Sequence, residues 1–226
     1  LMVSSVGMNS TAQNAGLEYT SGDARTVFSF EVDAAPTIAS VQINDGSAQR
    51  SRVKSVTVTL NGVVPAGSIA TSSFLLARTE GGSYVATVQS VSYVGRQTVI
   101  LLGFSGPGVG TDGSLPDGSY TLSVDRTKIP LDIPTQVMVI ATFRTLFGDL
   151  SGDGVVQDSE VAASAKTLGS KFGDGVYLWY LDFDADGKIN SELAKMIGLT
   201  TPRLTHGGKY CRLPPSTTRP RVCLAC

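Results

Sequence analysis

The clearest periodicity in the chain lies in the stretch SVTVTL, where Val56, Val58 and Leu60 alternate with Ser55, Thr57 and Thr59. Alternation of period 2 turns one set toward a core and the other toward solvent, which predicts a half-buried strand. Six more stretches of similar texture run between Pro36 and about Thr145: ASVQIN before it, then SFLLAR, YVATVQSVSYV, TVILLGF, SYTLSV and QVMVIATF. Turn-forming residues punctuate them at Asn44-Asp45-Gly46, Asn61-Gly62, Gly81-Gly82, Pro130 and Pro134. Seven short strands so spaced predict a β-sandwich over residues 36–145. The glycine-rich segment 103–118 reads as a long hairpin connection. It has neither the GK[ST] ending nor the strand-then-helix setting of a phosphate loop. Upstream, Phe28, Phe30 and Val32 alternate in TVFSFEVD and stop at Ala34-Ala35-Pro36, so residues 1–33 are expected to be the C-terminal remnant of a preceding β module.

After Thr145 the alternation stops, and two acidic segments centred on glycine follow, the first from Asp149 and the second from Asp182. FGDLSGDGVVQDSEVA and YLDFDADGKINSELA align as an internal repeat. Phe147 and Tyr180 stand two residues before the first carboxylate, Gly154 and Gly187 take the sixth place, and Val156 and Ile189 the eighth. A polar turn explains one such loop, but matched aromatic, glycine and aliphatic positions in two loops argue for calcium. That ion takes six to eight oxygens, and a 12-residue loop supplies them from positions 1, 3, 5, 7, 9 and 12 around a glycine at 6. Loop 1 offers Asp149, Ser151, Asp153, the carbonyl of Val155, Gln157 and Glu160 as closing ligand; Ser151 removes one charge from the strict pattern. Loop 2 offers Asp182, Asp184, Asp186, the carbonyl of Lys188 and Asn190, but position 12 is Leu193 and Glu192 sits one place early. One residue turns a side chain by about 100° on a starting helix, so loop 2 is expected to bind Ca2+ more weakly than loop 1.

Two family resemblances attach to these residues. The run APTIASVQINDGSAQRSRVKSVTVTLNGVV, with SFLLART and LPDGSYTLSVD, resembles the bacterial Ig-like domains repeated in large exported and surface proteins. There Tyr120 of DGSY looks like a tyrosine corner, whose hydroxyl bonds to nearby backbone. The paired loops, each with a following helix at about 158–169 and 191–197, resemble type I dockerin domains. That resemblance covers 147–198 and implies an approximate two-fold pair of loop-helix units with Val161 and Leu193 as matched core residues. It also implies a cohesin-like protein partner recognised near loop positions 10 and 11, here Asp158 and Ser159, and Ser191 and Glu192. Loop 2 departs from the family at its closing position, and its helix stops early at Gly198. The fold class expected is therefore mostly β with a small α C-terminal domain: an Ig-like β-sandwich followed by a dockerin-like pair of calcium loop-helix units.

Charge divides the chain. All 19 acidic residues and 12 of the 18 basic ones lie at or before Glu192, a balance of −7, against +6 for the last 34 residues. Those residues, 199–226 in the main, hold His206, Cys211, Cys223 and Cys226. Cys223-x2-Cys226 suits a zinc knuckle and the four could make one ligand set, but the other spacings match no zinc module, and the segment reads instead as a basic, disordered or unrelated extension. Neither candidate domain contains a cysteine, so neither holds an internal disulfide. No apolar run approaches the roughly 20 residues of a membrane helix. The start lacks the basic and apolar regions of a signal peptide, so either one was removed or the chain is a piece of something longer; the module end at residues 1–33 favours the second.

With one histidine, in the tail, a Ser-His-Asp or Cys-His arrangement is not expected. A carboxylate pair among Glu31, Glu80, Asp112 and Asp117 stays open at this point, and one tryptophan, Trp179, gives a carbohydrate-binding face little to stack on. The function expected is a non-enzymatic, calcium-binding structural or docking module of an exported bacterial surface or secreted protein, a monomer or part of a longer chain, with no nucleic-acid role. The alternative is the accessory region of a secreted polysaccharide-degrading hydrolase attached through a cohesin.

Overall fold

A computed structural model describes residues 34–190 in full, and the backbone of 14–21, 24–31, 205–206 and 209–210. Strands β1 (Asn14–Ser21) and β2 (Ala24–Glu31) form an antiparallel pair. Seven strands follow: β3 (Thr37–Ile43), β4 (Val56–Asn61), β5 (Phe74–Arg78), β6 (Val85–Val94), β7 (Gln97–Ser105), β8 (Gly118–Asp125) and β9 (Val137–Thr145). They make two antiparallel sheets, one in the order β3-β4-β7-β6 and the other β5-β8-β9. Each coincides with one of the seven alternating stretches of the sequence.

Alternation becomes packing through register. Val56 pairs with Leu102 and Val58 with Ile100 in the first sheet; Phe74 pairs with Val124 and Leu76 with Leu122 in the second. These side chains are buried and form one core between the sheets. Thr98 is buried among them at no unpaired cost, since its hydroxyl donates to the Gly62 carbonyl and accepts from the Val64 N–H, both at 2.9 Å. Register shifts lie between Ile38 and Ser40 on β3, Val88 and Ser90 on β6, and opposite Leu122/Ser123 on β9. All three strands are sheet edges, where a bulge blunts the unpaired backbone against further pairing.

The glycine-rich segment is not a hairpin. β7 pairs with β4 and β6, whereas β8 pairs with β5 and β9, so the chain crosses here from one sheet to the other. Its first residues, 103–105, are the end of β7. Local turn signals mark the break, but the inward-facing residues of β7 and β8 belong to opposite walls of the core.

Beyond β9 come β10 (Val156–Gln157), α1 (Asp158–Ala165), β11 (Thr205–His206) and β12 (Lys209–Tyr210), the three strands pairing in the order β10-β12-β11. Phe147, Val156, Val161, Leu181 and Ile189 bury together as a second, smaller core. The expected first helix reached 169; α1 ends at Ala165 instead. The N–H of Thr167 turns to Ser164 O, as does its hydroxyl, which tightens the last turn. The expected helix at 191–197, with Leu193, lies outside the described residues, as do Glu192, Cys211, Cys223 and Cys226. Among the described residues α1 is the one α-helix and no helix is long and apolar enough to cross a membrane.

Candidate metal centre

The two acidic loops share a backbone plan dictated by short-range chemistry. In each, the first Asp accepts the N–H of the sixth-place glycine: Asp149 Oδ2 from Gly154 and Asp182 Oδ2 from Gly187, both at 2.9 Å. In each, the fifth-place Asp accepts the N–H of position 7: Asp153 from Val155 at 2.9 Å and Asp186 from Lys188 at 2.8 Å. Position 4 is left-handed in both, at Gly152 (φ 78°) and Ala185 (φ 59°). A non-glycine residue there costs about 1 kcal/mol, so loop 2 keeps the shape of loop 1 against local preference.

Their carboxylates are disposed differently. Loop 1 satisfies itself. Asp149 is buried, and its second oxygen accepts the Gly152 N–H at 2.6 Å. Glu160 Oε1 accepts from Leu150 and Ser151, and Oε2 from Gln157, so Glu160 caps the start of α1. The Gln157 amide in turn donates to Asp153 Oδ2. Burial, with Glu160 and Asp153 nearby, pushes the Asp149 carboxyl above its ordinary value despite the two N–H donors. Ser151 and Val155 enter this scheme only through their N–H groups among these bonds.

Loop 2 gathers its acids around a point. One carboxylate oxygen from each of Asp182, Asp184 and Asp186 lies within 4.8 Å of the others. Calcium–oxygen distances of 2.3–2.6 Å put oxygens on opposite sides of an ion roughly 5 Å apart, so these three fit one coordination shell. Asp184 and Asp186 are exposed, while Asp182 is only 3% exposed. Its Oδ2 is held by the Tyr177 hydroxyl at 2.6 Å and by Gly187; its Oδ1 is buried with no hydrogen-bond partner. Burying such an oxygen unpaired costs several kcal/mol in order of magnitude, and a cation bridging to Asp184 and Asp186 removes that cost. Lys188 meets the site through its N–H, and Asn190 is half-buried beyond it. Ile189 pairs by backbone with Ser170, 2.8 Å, fixing the far side of the loop.

Tyr177 was not legible as a site residue. Its phenol is pushed up to about 12 by burial and by Asp182. Five residues before Asp149 the sequence has Arg144, so aligning the repeats hides the tyrosine.

Both loops are tied to the sandwich by residues 44–55, the connection from β3 to β4. Asn44 braces this connection, donating to Arg52 O at 2.8 Å and accepting from Lys54 N at 2.9 Å. The Arg50 N–H reaches Asp149 O, and the Ser51 hydroxyl donates to Tyr180 O at 2.7 Å while accepting from Gly148 N at 2.9 Å. Gly152 packs on the Ala48 carbonyl so closely that an added Cβ would lie 2.1 Å from it, which only glycine permits. Arg52 donates to the carbonyls of Asp182 and Phe183 and, at 2.6 Å, to Asp112 in the inter-sheet crossover. Lys54 pairs with the same Asp112 at 2.7 Å and lies 4.5 Å over the Trp179 ring.

The acids of the sandwich do structural work. Glu80 accepts the Ser119 N–H, Asp117 accepts the Phe147 N–H at 2.9 Å, and Asp112 is an ion-pair partner. For Asp112, burial opposes the charge, but the Lys54 hydrogen bond and the Arg52 charge outweigh it and hold the carboxyl below its ordinary value of 3.8. A depressed folded value gives stability that is present above the unfolded pKa and lost as pH falls through the folded one. The joint is therefore expected to loosen below about pH 4, seen as a drop in melting temperature with a change in Trp179 fluorescence. Asp112→Asn should flatten that acid limb; an unchanged limb would show that the ion pair does not latch the joint.

Comparison with protein-family models, with curated proteins and with solved structures gave no match.

Proposed function

We propose that the chain is a non-enzymatic, calcium-binding module of an exported protein: an Ig-like sandwich carrying a dockerin-like pair of loops, with Ca2+ held first at loop 2. The observation that carries the metal reading is Asp182 Oδ1, a buried carboxylate oxygen without a partner beside two further acids. Asp182, Asp184 and Asp186 would hold the ion, with Lys188 and Asn190 at loop positions 7 and 9. Bound calcium supplies the positive charge that three clustered carboxylates lack. Loop 1 competes less well in this geometry, because a cation there must first displace backbone donors from Asp149 and Glu160.

Support for the Ig-like part comes from strand order. β3-β4-β7-β6 facing β5-β8-β9 is the ABED and CFG arrangement of a seven-stranded Ig sandwich. Tyr120, near the start of the sixth of these strands, donates to Pro116 O at 2.8 Å, the bond of a tyrosine corner. Asp158 and Ser159 stand exposed at the start of α1, where the dockerin-like reading puts contact with a cohesin-like partner.

The test is calorimetric titration of the chelator-stripped chain with Ca2+ while Trp179 emission is followed, since that indole precedes Asp182 by three residues. We expect binding within the roughly 10⁻⁷ to 10⁻³ M range of such loops, with a change in emission and one site filling before any second. Absence of both heat and emission change would remove the metal reading and leave a structural sandwich.

A further inference from the structure

We propose that Arg52, a residue of the sandwich, is a positioning residue of the loop 2 cation site, so that the site is built jointly by both units. The inference rests on the calcium reading of loop 2. Arg52 is 5% exposed and spends its guanidinium on three acceptors: the carbonyls of Asp182 and Phe183 and the carboxylate of Asp112. Asp182 is thereby gripped from two sides. Its carbonyl is fixed by Arg52, and its Oδ2 by Tyr177 and Gly187. With its backbone and one oxygen fixed, the Asp182 carboxylate has little freedom, and its place beside Asp184 and Asp186 is set before an ion arrives. Preorganisation of a ligand by its outer partners is worth about 10–100-fold in metal affinity.

This role has a signature opposite in sign to simple electrostatics. A guanidinium beside a dication repels it, so deleting Arg52 without other effect should strengthen binding. If Arg52 positions Asp182, deleting it weakens binding. Lysine keeps the charge but cannot reproduce a planar fork to three acceptors, so it should not restore affinity.

The experiment titrates Ca2+ into the full chain and into Arg52→Gln and Arg52→Lys by calorimetry, with the β-sheet circular dichroism of each recorded first. The expected result is a folded Arg52→Gln chain with Ca2+ affinity lowered about tenfold or more, and a comparable loss in Arg52→Lys. Equal or tighter binding by Arg52→Gln overturns the inference while leaving the loop 2 reading intact, because wild-type binding is measured alongside. Should Arg52→Gln lose its sheet signature, Arg52→Lys decides alone: weaker binding supports the role and unchanged binding overturns it. A wild-type chain silent to Ca2+ overturns both.

Discussion

Asp182→Asn is expected to lower the affinity of the chain for Ca2+ by about a hundredfold, since ligand charge strongly tunes such sites. The substitution preserves size and one acceptor oxygen, so the fold has little reason to change. What it removes is the charge at the most buried of the three carboxylates, 3% exposed, where water screens least. It also places an amide where Oδ2 now accepts from Tyr177 and Gly187, or at the unpartnered Oδ1; the first orientation sets an N–H₂ against two donors and the second sets it against any cation held there. Calorimetry of the variant beside Asp158→Asn, which alters an exposed acid outside the ligand set, separates this loss from a general fall in negative charge. Equal binding by Asp182→Asn and wild type would place the ion elsewhere. Metal-free Asp182→Asn should also melt close to the metal-free parent, because the amide oxygen can keep both donors at the Oδ2 position while an uncharged group replaces the oxygen buried without a partner.

Tyr120→Ala is expected to destabilise the sandwich by about 3–5 kcal/mol, the range for removing a large aromatic from a core. The ring is 1% exposed, with Tyr84 edge-on at 5.6 Å and Phe143 stacked at 5.7 Å, so truncation opens a void against two aromatics at once. Tyr120→Phe isolates the hydroxyl and should cost only about 1 kcal/mol. Pro116 O, which loses that donor, still accepts from the Thr145 hydroxyl at 2.5 Å and is not left bare. Urea midpoints of the two variants give the comparison. A phenylalanine variant as unstable as the alanine one would mean that the hydroxyl, not the ring, governs this corner.

The strands were legible because alternation is a local code. Val56, Val58 and Leu60 declare their buried face without reference to any partner. The shared loop plan was legible for the same reason, since Asp149 reaches Gly154 and Asp182 reaches Gly187 within five residues. What escaped is long-range. Ser51 and Tyr180 are 129 positions apart, and Arg52 and Asp182 are 130. No periodicity relates them, so a sequence that drew a boundary at about 146 had no sign of the ties across it. Position 12 ranked loop 1 above loop 2 on the chemistry of the closing residue. The opposite order is proposed here because the Glu160 oxygens cap α1. The crossover at 103–118 reads as a hairpin in sequence because glycines announce a turn but not which wall of the core the next strand joins.

The tight seat of Gly152 on the Ala48 carbonyl has a consequence for how such a chain is reshuffled during evolution. A loop pair transplanted behind a different sandwich meets a foreign β3–β4 connection, with no Ser51 to join Gly148 and Tyr180 and no Arg52 to grip Asp182. Recombination that cuts near residue 146 therefore yields two fragments, each missing contacts that the other supplied. The inheritable cassette is then the sandwich and its loops together, and substitutions in the connection between β3 and β4 are expected to be tied to those in both loops.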